Sequence, residues 1–139
     1  MSLLLDTDVL SEIMRSAPSP AVLAWLAAQR QDTLLVSAVT QAEMMLGARL
    51  LPAGKRRDAL QRGLRMLFDE DFAQRILPFD AEAVPHYVDV VARRRAAGRP
   101  ISQFDAQIAA IALAHGASVV TRSVTDFEGC GLALIDPWR

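Results

Sequence analysis

The chain has 139 residues, 52% of them hydrophobic and 22% charged, with a net charge of −1. Such a length and balance fit a single globular domain with its own core, and no apolar run approaches the ~20 residues of a membrane span. One cysteine, Cys130, and two histidines, His86 and His115, exclude an internal disulfide and the common zinc ligand sets.

In chain order, "SLLLDTDVLSEI" reads as a short buried strand, Leu3–Asp6, that runs into a helix near Asp8–Arg15. No cationic region followed by an apolar signal core precedes it, so export is not expected and the cytoplasm is. Ser19 followed by Pro20 is a cap with proline at the first helical position, opening a helix over Ser19–Arg30. A second strand, Thr33–Ser37, leads into a helix over Val39–Leu51. Its apolar stripe of Val39, Ala42, Leu46 and Leu50 takes in Glu43.

A helix over Lys55–Ala73 follows, carrying "GKRRDALQRGLR". The basic residues of the chain are fourteen Arg and one Lys. Arg56, Arg57, Arg62 and Arg65 offer forked donors suited to RNA phosphates, although such runs are usually solvated helix faces. A strand at Arg75–Phe79 and a helix at Ala81–Ala97 come next, the helix stopped by Gly98. The helix over Gln103–His115 is apolar nearly all round, which suits a sandwiched position. There Asp105 shares a face with Ile108, Ala109 and Ala112, and Gly116 ends the helix. Strands at Ser118–Thr121 and Leu132–Ile135 flank "TRSVTDFEGCG".

Strands alternating with helices, without a hairpin signal, predict an α/β fold with a mainly parallel sheet. Ligands of such sheets sit at the carboxyl ends of the strands. Asp6 and the segment after the fourth strand therefore share one rim. No glycine-rich nucleotide loop is present. Asp6, Glu43, Asp105 and Asp126 each have an ordinary explanation. Thr40 with Glu43, and Ser102 with Asp105, fit capping boxes. Asp6 or Asp8 fits a helix cap, and Asp126 a turn. Four caps aimed at one rim are less economical than one site. Converging carboxylates without basic partners raise each other's pKa values, and a divalent cation removes that penalty. All-oxygen ligands favour magnesium or manganese, and such ions act on phosphate.

At these residues the sequence resembles the PIN-domain ribonucleases, and among them the VapC/FitB-like toxins of type II toxin–antitoxin systems. "LLLDTDVLSE", "VSAVTQAEMMLGA", "ISQFDAQIAAIA" and "VVTRSVTDFEG" with "LIDPW" match the family's motifs in order, over essentially the whole chain. The resemblance implies a three-layer α/β/α sandwich, magnesium- or manganese-dependent cleavage of RNA, a cognate antitoxin and a homodimer. It also implies that Asp6 and Asp105 are the principal metal ligands. Glu43 would complete the set or orient water, Asp126 would help hold a second ion or its waters, and Thr7 and Ser123 would be supporting hydroxyls. The family often has Asn where this chain has Asp8 and Ser123.

A rival reading takes "LLLDTDVL" as similar to the signature of haloacid-dehalogenase phosphatases, with Asp6 as nucleophile and Asp8 as acid/base. Leu10 stands where those enzymes have Thr or Val, and the only lysine is Lys55. The remaining alternative is a binding module whose acids are merely caps.

Overall fold

A computed structural model describes residues 1–139. Five strands form one sheet: β1 (Leu3–Leu5), β2 (Leu34–Ser37), β3 (Ile76–Leu77), β4 (Ser118–Val120) and β5 (Leu134–Ile135). Their order is β3-β2-β1-β4-β5, and every neighbouring pair is parallel. β1 is central, with Leu4 opposite Leu35 on one side and Val119 on the other. A central parallel strand is covered on both faces, which is why it consists of three leucines.

Seven α-helices supply the cover: α1 (Thr7–Ile13), α2 (Pro20–Ala27), α3 (Ala38–Arg49), α4 (Lys55–Met66), α5 (Val84–Ala96), α6 (Gln103–Ala114) and α7 (Val124–Phe127). Successive strand residues point to opposite faces. Leu3, Leu5 and Val36 accordingly join Val9 and Leu10 of α1, Val22 of α2 and Leu64 of α4. Leu4 and Val119 instead meet Val90 of α5 and the apolar side of α6 around Ile108 and Ile111. This is the three-layer α/β/α sandwich expected from the sequence, with a wholly parallel sheet. No helix is long and apolar enough to cross a membrane.

The elements differ from expectation in informative places. β1 stops at Leu5 because Asp6 is the N-cap of α1, its Oδ1 accepting from the Thr7 amide at 2.8 Å. The long helix expected to Ala73 leaves α geometry at Met66. A π-helical turn, Leu67–Asp71, with Phe72 N–H donating to the Leu67 carbonyl, carries Leu67 and Phe68 into the core. The short α7 was not anticipated; four residues give no period to read. After α5 and α6 the chain turns at Gly98 (φ 71) and Gly116 (φ 63), as their glycines implied.

One stripe is a correction. Ala42 and Leu46 of α3 and Leu50 at its C-cap face solvent, with Leu46 58% and Leu50 73% exposed. The buried line is Thr40 and Ala48. Small and hydroxyl side chains let α3 lie close against its neighbours, and apolar residues on both sides of the helix left periodicity without a preferred face.

Candidate active site

The carboxyl ends of β1, β2 and β4 meet at one rim, as a parallel sheet requires. Above it is an open cleft of about 420 Å³ lined by Asp6, Thr7, Asp8, Glu43, Asp105, Ser123 and Asp126, with Ser11, Glu12, Arg122 and Trp138. All four acids singled out in the sequence line this one cleft.

Three of them lie at helix starts, and Glu43 comes from the second turn of α3. Asp6 caps α1 and is buried. Its Oδ2 accepts from the Thr121 hydroxyl at 2.8 Å, across the junction of β1 and β4. The same hydroxyl lies 3.2 Å from Asp8 Oδ2, so one proton is shared between two carboxylates. Asp8 Oδ2 also accepts from the Arg122 amide (3.0 Å) and the Ser123 hydroxyl (3.3 Å). Asp8 Oδ1 is buried without a partner.

Glu43 lies one turn into α3. The capping box with Thr40 expected from the sequence is absent, because Ser37 caps α3 and receives the Thr40 amide at 3.0 Å. Thr40 is instead buried, with its hydroxyl 2.9 Å from that of Thr7. Thr7 donates to Glu43 Oε1 at 3.0 Å, so the Thr40 proton goes to Thr7. The Thr7 hydroxyl thus ties α1 to α3 and aims Glu43. Asp105 is in the first turn of α6, where Ser102 accepts its amide at 3.2 Å. Its carboxylate accepts no bond from the Ser102 amide, so the capping box is half-made, and it lines the cleft. Asp126 is exposed on α7.

The α7 segment is held from beneath by Arg94 of α5. This buried guanidinium donates to the carbonyls of Arg99 (2.6 Å), Asp126 (2.8 Å) and Glu128 (3.0 Å).

None of Asp6, Asp8, Glu43, Asp105 or Asp126 takes part in an ion pair. Burial, then the charge of Asp8, pushes the Asp6 carboxyl up to about 7, against the pull of its bonds from Thr121 and Thr7. Glu43 is also raised, chiefly by burial and further by Asp105. Burial also raises Asp105, against the pull of Ser102, with Asp126 and Asp8 adding to it. Glu12, by contrast, is lowered by the Ser19 amide and by Arg15. The cleft therefore gathers more acids than cations, with Arg122 the one basic residue in its lining.

A hard divalent cation fits this donor set, which is all oxygen and lacks a basic partner. No three acids are drawn together tightly enough to form a cage by themselves. Magnesium does not need one, since it keeps several waters and binds through one or two carboxylates. The four acids are thus a lined cleft rather than a preassembled cluster.

The remaining residues fall elsewhere. Arg56, Arg62 and Arg65 are exposed on α4 and Arg57 is half-buried there; none lines the cleft. The phosphatase geometry required β1 to continue through Asp8, whereas Asp8 is helical. The sequence offered Thr40 only as a capping residue and did not single out Thr121, Arg122 or Trp138. Of these three, only Thr121 had a signal, as the residue that follows β4 where Asp6 follows β1.

The PIN domain family profile matches residues 3–124. The chain belongs to the PIN domain family. Within it, the chain is 44% identical over 137 residues to VapC ribonuclease Y4jK of Sinorhizobium fredii, covering 99% of this chain and 98% of that protein. It is 37% identical over 137 residues to toxin FitB of Neisseria gonorrhoeae, with 99% of each covered. The structure of FitAB bound to an IR36 DNA fragment superposes with a TM-score of 0.92 at 36% identity, over 99% of this chain and 96% of that one.

Proposed function

We propose that this chain is a magnesium- or manganese-dependent endoribonuclease, the toxin of a toxin–antitoxin pair, silenced by a cognate antitoxin. The observation that carries the reading is the set of unpaired acids on one rim, three of them raised by burial and mutual repulsion. Asp6 and Asp105 would be the principal metal ligands, with Glu43 and Asp126 completing the set directly or through water. A bound divalent ion supplies Lewis acidity toward a phosphoryl oxygen and lowers the pKa of water. The protein's own part is orientation. Thr121 fixes Asp6, Thr7 fixes Glu43, and Ser102 starts the helix that carries Asp105.

Kinship with the VapC ribonuclease and the FitB toxin supports both the reaction and the antitoxin. The apolar face of α3, with Met45, Leu46 and Leu50 in solvent, supports a protein partner and a homodimer. The test is cleavage of single-stranded RNA by the purified chain with magnesium and with a chelator. Cleavage only with the metal is expected, and cleavage that proceeds as fast under chelation sinks the reading. Co-expression with the product of the neighbouring gene should give a complex that cleaves nothing.

A further inference from the structure

Among the cleft's lining residues one is hydrophobic, Trp138, and one is cationic, Arg122. They touch. The Arg122 guanidinium carbon lies 5.2 Å from the centroid of the Trp138 ring, a cation–π separation. Trp138 is half-buried, packed against the core on the face covered by α1 and α2, and its amide donates to Asp136 Oδ1 at 2.9 Å. Arg122 follows β4, anchored by its own amide on Asp8 and flanked by Thr121 and Ser123, which also bond to the acids. Its side chain is exposed and makes no hydrogen bond or ion pair with the protein.

A guanidinium has two faces and an edge of donors. Here one face rests on an indole, while the other face and the donor edge remain available at the mouth of an acid-lined cleft. Trp138 pre-orders a long side chain, which lowers the entropy a ligand must overcome to engage it. A planar cation held in this way matches a nucleotide. Its free face suits an unpaired base and its edge suits the adjoining phosphate.

We propose that Arg122, braced by Trp138, forms a nucleotide subsite next to the scissile bond, and that this subsite selects single-stranded RNA. Selection follows from geometry, because a base inside a duplex is already stacked on its neighbours and offers no face. The inference rests on the ribonuclease reading and names the two residues that would sense the form of its substrate.

The test measures binding of a labelled RNA by anisotropy to the Asp105→Asn protein, with single-stranded and duplex forms of one sequence compared. Single-stranded RNA should bind more tightly and quench tryptophan emission, and Trp138→Phe should remove that quench. Arg122→Ala should weaken single-stranded binding about 5- to 100-fold and erase the preference over duplex. Arg122→Lys should keep the salt dependence without restoring the preference, since an ammonium cannot stack. Thermal melting should change little in Arg122→Ala, which loses only an exposed cation–π contact. If the parent binds RNA and Arg122→Ala binds it with the same affinity and preference, the subsite is refuted while the ribonuclease reading stands. If the parent neither binds nor cleaves RNA, both fall.

Discussion

The inner and outer halves of the cleft are built on different terms. Asp6, on the sheet side, is buried at a strand end and held by an amide and a hydroxyl from a second strand. Asp105 and Asp126, on the helix side, lie in the first turns of α6 and α7, and neither is in an ion pair. The inner acid is fixed and costly to ionise; the outer acids are free to adjust. In the proposed metal site, a rigid ligand facing adjustable ones would give a hydrated cation a reference point without requiring a finished cage.

The largest effect should come from the outer half. Asp105→Asn removes an unpaired charge and should preserve the fold while cutting RNA cleavage by at least about 100-fold, since even supporting partners of a metal site are worth 10–100-fold. Retained cleavage with an intact circular dichroism spectrum would remove Asp105 from the proposed ligand set.

The inner half should show itself in stability. The folded pKa of Asp6, about 7, lies above its ordinary 3.8, so the folded state holds a proton that the unfolded state has released. The contribution of Asp6 to the stability of the metal-free protein is therefore fully present below about pH 4 and is lost, up to roughly 4 kcal/mol, as pH rises to 7. Asp6→Asn should flatten this part of the profile, and magnesium should restore stability at pH 7. Melting curves of parent and variant from pH 4 to 8 measure the difference. Parallel profiles would mean that Asp6 ionises without penalty.

Between the halves, Asp8→Asn should cost only a few-fold in RNA cleavage, because an amide oxygen can still accept from Arg122 and Ser123. A loss of about 10²–10⁴-fold on a phosphomonoester, in a protein that does not cleave RNA, would revive Asp8 as an acid/base. The smallest effect concerns α4, outside the cleft. If Arg56, Arg57, Arg62 and Arg65 contact RNA phosphates, replacing each should lower the salt slope of binding by about 0.7–0.9. An unchanged slope would make them a solvated face.

How far these features could be read from sequence depended on how local their causes are. Asp6 at a strand end and Asp105 after a serine cap are local patterns, and both residues were legible. The face of α3 was not, since Leu46 and Leu50 are as apolar as the buried Ala48, and only the packed neighbours decide between them. Thr40 looked like half of a capping box because Ser37, three residues earlier, supplies the same chemistry one turn sooner. Arg122 and Trp138 meet only through the tertiary fold, with no spacing rule to connect them. Thr121 was within reach, since pairing Leu5 with Val120 brings the following residues together.

The bond between Thr121 and Asp6 spans 115 residues and crosses the middle of the sheet. Contacts of such separation form slowly, because a long loop must close before they contribute. During synthesis Asp6 emerges early, whereas Thr121, Asp126 and Trp138 emerge late. Until β4 docks beside β1, the early acid has neither its hydroxyl nor the opposite wall of its cleft. Whatever chemistry the cleft performs, a nascent or partly unfolded chain cannot perform it, and activity should appear in a refolding experiment only with the final, sheet-closing phase.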